Sequence, residues 1–246
     1  MKKILILSAN PKDTNKLRLD EEIREIQASL KRAKKRDQFE IVTEWAVRVE
    51  DLRRALLDHE PTIVHFSGHG SGSGGLVLEN QSGQMQLVST ESLARLFKFF
   101  HSKIECILLN ACYSEAQAQA IHQHIDYVIG MNQTIGDVAA IAFAIGFYDA
   151  LGAGHNYEDC FEIGCASVDL EGIPESEIPV IKVKPQSSAQ DQKTEQQTNQ
   201  ADTPPVESPV SEKTNIAASN TITQTAGDNA IMLGNFGQVG NINLQR

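Results

Sequence analysis

Two side chains stand in surroundings that suit covalent chemistry, a histidine and a cysteine. His69 follows the apolar run Ile63-Val64-His65-Phe66 and sits in Ser67-Gly68-His69-Gly70, with a glycine on either side. Cys112, 43 residues further on, follows a second run, Cys106-Ile107-Leu108-Leu109, within Asn110-Ala111-Cys112-Tyr113-Ser114. Both runs read as buried parallel strands, and open α/β sheets gather their reactive groups at the carboxyl ends of such strands. On adjacent strand ends an imidazole can take the proton of a thiol and leave a thiolate nucleophile, which is the chemistry of acyl transfer. Taken singly, a cysteine after a strand is a small packing residue and a glycine-flanked histidine is a turn residue. Their pairing at matching strand ends is what sets these two apart. His65 alternates to the other face of its strand and reads as a core or sheet-face residue, and Cys106, Cys160 and Cys165 read as core. His59, His101, His122, His124 and His155 fall in loops or helix ends with no partner that the sequence names.

The elements that must hold this pair follow from periodicity. Strands are predicted over 3–8, 39–46, 62–67, 105–110 and 127–131. Helices with apolar residues at three-to-four spacing are predicted over 20–36, 49–58, 90–100 and 138–151. A short hairpin, 76–78 and 85–88, flanks Gln81-Ser82-Gly83 after the third strand. Alternation of this kind from residue 1 to 185 predicts an α/β domain with a mainly parallel sheet.

Composition narrows the function classes. The chain has 246 residues, with 22 Lys and Arg against 32 Asp and Glu, so the net charge of −10 argues against a surface that tracks phosphates, and no nucleic-acid partner is expected. The basic cluster Lys31-Arg32-Ala33-Lys34-Lys35-Arg36 reads as a solvated helix end. No apolar run reaches the roughly 18 residues of a membrane span, and no leader with a small-residue cleavage site is visible, so a cytoplasmic location and no membrane partner are expected. Four cysteines without a C-x-x-C pair leave no disulfide framework and no metal site. The turn Ala9-Asn10-Pro11-Lys12 after the first strand lacks a glycine-rich phosphate loop, which disfavours a nucleotide-processing enzyme. No cofactor is implied.

The last quarter of the chain has another character. Between 186 and 228, 22 of 43 residues are Ser, Thr, Asn or Gln, and the only large aliphatics are Val206, Val210, Ile216 and Ile222. Such a stretch buries too little apolar surface to offset its ordering entropy, so 186–226 reads as a disordered linker. Over 227–246, Ile231, Leu233, Phe236, Val239, Ile242 and Leu244 alternate with asparagines and glycines in a degenerate short repeat. Asparagine ladders and alternating aliphatics suit stacked strands, and a frayed tail with accidental strand propensity is the alternative.

The runs Ile63 to Gly70, Leu108 to Glu115, and Val128-Ile129-Gly130-Met131 to Phe147-Tyr148 resemble the CHAT domain, a caspase-like cysteine peptidase related to separases. The resemblance spans roughly 2–185, within a first domain at 1–185. It implies a three-layer sandwich, His69 as catalytic histidine, Cys112 as nucleophile, the backbone amides of Gly70 and Cys112 as oxyanion donors, and a protein or peptide substrate. In related peptidases an acid receives a basic residue before the scissile bond. Asp137 stands where that acid is expected, and serves equally well as the N-cap of the following helix. Asn110 departs from the Asp that metacaspases place two residues before the cysteine, which leaves a neutral substrate residue open. Glu115 either supplies charge there or complements its helix dipole. The segment 227–246 resembles, more loosely, bacterial amyloid signalling motifs, which imply homotypic self-assembly and a nucleotide-dependent receptor with a matching tail. The function so implied is a recruited or clustered endopeptidase effector in bacterial defence or programmed cell death. The alternative is a catalytically idle caspase-like scaffold that signals through its tail.

Overall fold

A computed structural model of the chain describes residues 1–184. The expected linker at 186–226 and the terminal motif at 227–246 lie outside the described residues. Five strands rich in Ile, Leu and Val pair in parallel: β1 (Lys2–Ser8), β2 (Phe39–Glu44), β3 (Ile63–Ser67), and, after the hairpin, β7 (Cys106–Asn110) and β8 (Tyr127–Met131). A sixth, β9 (Pro179–Val183), closes the edge antiparallel to β8, giving the order β2-β1-β3-β7-β8-β9. β3 and β7 are thus central neighbours, and Ser67 lies directly opposite Asn110 in their register.

Burial on both faces explains why these strands read as continuous apolar runs. Ile4, Ile6, Ile63, Leu108 and Ile129 pack on one side with α1 (Leu19–Arg32), α5 (Asp137–Ala153) and α6 (Tyr157–Leu170). Leu5, Leu7, Val64, Ile107 and Val128 pack on the other with α2 (Val49–His59), α3 (Thr90–Phe99) and α4 (Glu115–His122). The result is a helix-sheet-helix sandwich of three layers. Among the described residues no helix is long and apolar enough to cross a membrane.

A second, three-stranded sheet branches from the end of β3. It consists of β4 (His69–Gly70), β5 (Leu76–Glu79) and β6 (Met85–Val88), all antiparallel. The predicted hairpin is therefore present, with His69 itself on an added strand. Two predicted elements stop early. The strand from Phe39 ends at Glu44 because Ala46 turns into the left-handed region at φ 53°, and α1 ends at Arg32 because Ala33 is extended.

Candidate active site

The two singled-out residues stand at the same edge of the sheet, the carboxyl ends of β3 and β7. The segment 68–70 runs beside 110–112: Gly68 N donates to Asn110 O at 3.3 Å, and the Gly70 Cα lies against the carbonyl group of Cys112. A Cβ at residue 70 would overlap the Cys112 oxygen and stand 3.1 Å from its carbonyl carbon, so only glycine permits this approach. His69 is therefore bracketed by one contact to Asn110 and one to Cys112.

The imidazole has a partner that the sequence did not reveal. His69 Nε2 lies 2.8 Å from the carbonyl oxygen of Asn15, in the loop between β1 and α1. A carbonyl only accepts, so Nε2 carries the hydrogen and Nδ1 is left bare to receive a proton. The loop is itself held down: Lys12 N donates to Gly83 O at 2.9 Å, and Met85 N donates to Asp13 Oδ1 at 2.8 Å, both on the β5–β6 hairpin. At its far end Arg18 N donates to Asp137 Oδ2 at 3.3 Å.

Cys112 occupies a tight turn into α4. Tyr113 takes the left-handed conformation at φ 55°, unusual for a side chain of its size and a strain of roughly 1 kcal/mol. Ser114, wholly buried, holds the turn by donating to Leu109 O at 2.9 Å and accepting from Met131 N at 2.9 Å. Ala111 N and Tyr113 N are spent on Leu109 O and Gln133 O, whereas Cys112 N has no acceptor among the described residues. Ser71 N bonds Gly75 O, so the next hydrogen-bonded pair of that ladder is His69 with Val77, and the Gly70 N–H faces away from β5. The Cys112 thiol points to Ile135 O at 3.7 Å.

The remaining cysteines are different in kind. Burial pushes the Cys106 thiol well above its usual range, and pushes those of Cys160 and Cys165 up to about 12. All four are unpaired. Core status is right for Cys106 and Cys160, and Cys165 is half-buried on α6.

Asn110 is buried under the site, where its amide donates to Glu22 Oε1 at 2.6 Å and Ala140 O at 3.2 Å. Its buried Oδ1 has no partner among the described residues. Asp137 is the first residue of α5, and the capping position belongs to Gly136, whose N–H is taken by Glu175 at 2.7 Å. Asp137 instead faces Arg18, its Oδ2 3.7 Å from the guanidinium Nε. Glu115 opens α4 and pairs with Lys182 of β9 at 2.8 Å. His65 is a core residue as its alternation suggested, wholly buried between Glu22 and Tyr148. Sequence reasoning missed Glu22, Asn15 and an open cleft at the same edge lined by Asn10, Lys16, Trp45 and Glu79. It also left His59 and His155 without partners, whereas they lie 3.3 Å from Glu44 and 3.5 Å from Asp159.

The fold is shared with a solved cysteine proteinase. Arg-specific cysteine proteinase gingipain R is similar over 74% of this chain and 46% of its own, with a TM-score of 0.54 at 14% identity. Caspase-1 from Spodoptera frugiperda aligns over 74% of this chain and 85% of its own, with a TM-score of 0.49 at 11% identity. The CHAT domain model matches residues 2–161, and the chain belongs to that family. A Roc-COR-CHAT protease from an unknown prokaryotic organism is 32% identical over 157 residues, 61% of this chain and 15% of the relative. A probable protease from Gillisia limnaea is 27% identical over 157 residues, 63% of this chain and 28% of the relative. The chain thus matches less than a third of either relative's length.

Proposed function

We propose that the protein is a cysteine endopeptidase with His69 as general base and acid and Cys112 as nucleophile. The observation that carries this reading is the Asn15 carbonyl on His69 Nε2, which fixes the tautomer a base needs, on a segment packed against Cys112. In the reaction, the thiol turns from Ile135 O toward His69, and Nδ1 takes its proton. The thiolate attacks the peptide carbonyl carbon, and the resulting oxyanion is received by the N–H groups of Cys112 and Gly70, each such donor contributing roughly 3 kcal/mol. The imidazolium returns the proton to the leaving amine as the C–N bond breaks. Water, deprotonated by His69, then opens the thioester and restores the thiol.

Substrate choice is assigned to Asp137 and Asn110. Asp137 receives an Arg or Lys side chain in place of Arg18, whose ion pair is exposed and weak enough to be exchanged. Asn110, neutral and buried beneath the dyad, adds no charge to the pocket floor, so a neutral substrate residue is accepted beside a basic one. Activity is governed by clustering: the segment 227–246 self-assembles, or joins a nucleotide-dependent receptor bearing a matching motif, and the enzyme acts in the cytoplasm as an effector of defence or cell death. The residues 231–244, with their alternating aliphatics and asparagines, support this part.

Cleavage of a diverse peptide library by wild type and Cys112→Ala, each with and without seeds of a 227–244 peptide, tests both parts. Cysteine-dependent cutting that rises with seeding is expected. Equal cutting by Cys112→Ala refutes the nucleophile, and fibres without cutting turn the assignment toward a scaffold.

A further inference from the structure

Directly beneath the two strand ends lies a carboxylate in the core. Glu22, in the first turn of α1, is 4% exposed and accepts three hydrogen bonds: from Ser67 Oγ, from Asn110 Nδ2 at 2.6 Å, and from His65 Nε2 at 2.9 Å. With Nε2–H given to Glu22, His65 Nδ1 accepts from the Tyr148 hydroxyl at 3.1 Å, an assignment of hydrogens read from the network. The chain of contacts therefore runs from α1 through β3 and β7 to α5.

The position of the donors gives this network a role. Ser67 and Asn110 are direct register partners, and each stands two residues before a member of the proposed dyad, Ser67 before His69 and Asn110 before Cys112. One acceptor thus grips the last residue of both strands. A buried carboxylate is costly, and a leucine would fill the same volume with less penalty, but apolar contact has no direction. Hydrogen bonds from one carboxylate to two neighbouring strand ends set both their separation and their angle.

We infer that Glu22 is a positioning residue, whose carboxylate clamps Ser67 and Asn110 and so fixes the spacing of His69 and Cys112. The inference rests on the reading of those two residues as a dyad.

The test uses the full chain and the best peptide from the library, with kcat and KM measured well below each variant's melting temperature. Glu22→Ala lowers kcat by roughly 100-fold, the cost of an ångström-scale misplacement, and leaves KM within about threefold. Glu22→Gln restores kcat to within about tenfold of wild type, because its oxygen still accepts from Asn110 and His65 while its NH₂ donates to the Ser67 hydroxyl, which can reverse. Leu56→Ala, a fully buried site on the opposite face of the sheet, lowers the melting temperature and keeps kcat within about twofold. Wild-type kcat in Glu22→Ala, no rescue by Glu22→Gln, or an equal loss of kcat in Leu56→Ala overturns the clamp. Should Glu22→Ala fail to fold, Ser67→Ala removes one donor only: a fall in kcat with unchanged KM supports the clamp, and wild-type kcat overturns it. If the wild type shows no cysteine-dependent cutting, the peptidase reading fails by itself. The clamp is then decided by amide exchange: faster exchange at both 67–70 and 110–113 in the Glu22 or Ser67 variant upholds it, and unchanged exchange overturns it.

Discussion

Replacing Gly70 by alanine is the smallest change that addresses the geometry of the site. The added Cβ would overlap the Cys112 carbonyl oxygen and stand 3.1 Å from the carbonyl carbon. Both neighbouring atoms are backbone, so no side chain can swing aside, and β4 and the turn at Cys112 must part. Relief requires a separation on the order of 1 Å, and a misplacement of that size costs about 100-fold in rate. That loss corresponds to about 2.7 kcal/mol of transition-state stabilisation. The site lies at the surface end of the strands, so the hydrophobic layers stay intact and the melting temperature changes little beside the change in kcat. The assay is cleavage of a library-selected peptide, with kcat and KM separated, alongside the rate at which iodoacetamide alkylates Cys112. Gly68→Ala provides a graded comparison: its Cβ would meet Ala9 O at 2.8 Å and the Phe66 ring at 3.0 Å, milder overlaps than the one at residue 70, so its loss is smaller. A Gly70→Ala protein with kcat within about threefold of wild type would refute the claim that close backbone approach positions the dyad.

Asp137→Ala should reduce kcat/KM for peptides with Arg or Lys before the scissile bond by about tenfold more than for neutral residues, since one charge-assisted contact is lost; equal effects on both sets would remove Asp137 from the specificity pocket. Brief iodoacetamide treatment at neutral pH should modify Cys112 and spare Cys106, Cys160 and Cys165, whose thiols burial holds protonated; peptide mass mapping reads the sites. At the opposite end of the sheet, burial pushes Glu105 up, but hydrogen bonds from Lys2 at 2.6 Å and Tyr157 at 2.8 Å and the charge of Lys2 outweigh it and leave it below its ordinary value. Its stabilising contribution is therefore present above the unfolded carboxylate pKa and is lost as pH falls through the lower folded value. The melting-temperature gap between wild type and Glu105→Gln should be open at neutral pH and narrow progressively as pH falls below the ordinary carboxylate range.

The central strands were legible because burial on both faces leaves little choice of residue: β8 begins and ends where its apolar run does, and β3 and β7 start within a residue of expectation. β9 and α6 were not assigned. Pro179–Val183 pairs along one edge only and its side chains are mostly half-buried, so it carries a weak pattern, and α6 mixes Gly164, Cys165 and acidic residues across its turns. The glycine-flanked histidine and the cysteine were visible as types at strand ends. Glu22 carries a signal in its spacing, for it falls three residues after Leu19 and four before Ile26, on the apolar stripe of its helix. An acidic first turn, Asp20-Glu21-Glu22, hid it among residues that normally complement the helix dipole.

The orienting group on His69 is a main-chain oxygen, and that changes what substitution can report. An alanine scan of the β1–α1 loop leaves the Asn15 carbonyl in place whatever letter stands at 15, so the scan would score the position as dispensable. The constraint falls on the path of the loop, through Lys12 and Asp13 on the hairpin and Arg18 on Asp137. Related chains are free to differ in every side chain of that loop and keep the residue 69 imidazole in the same tautomer, provided the new residues return the same carbonyl to the same point. Replacing the peptide bond after residue 15 by an ester, which weakens that oxygen as an acceptor, reaches what no side-chain exchange does.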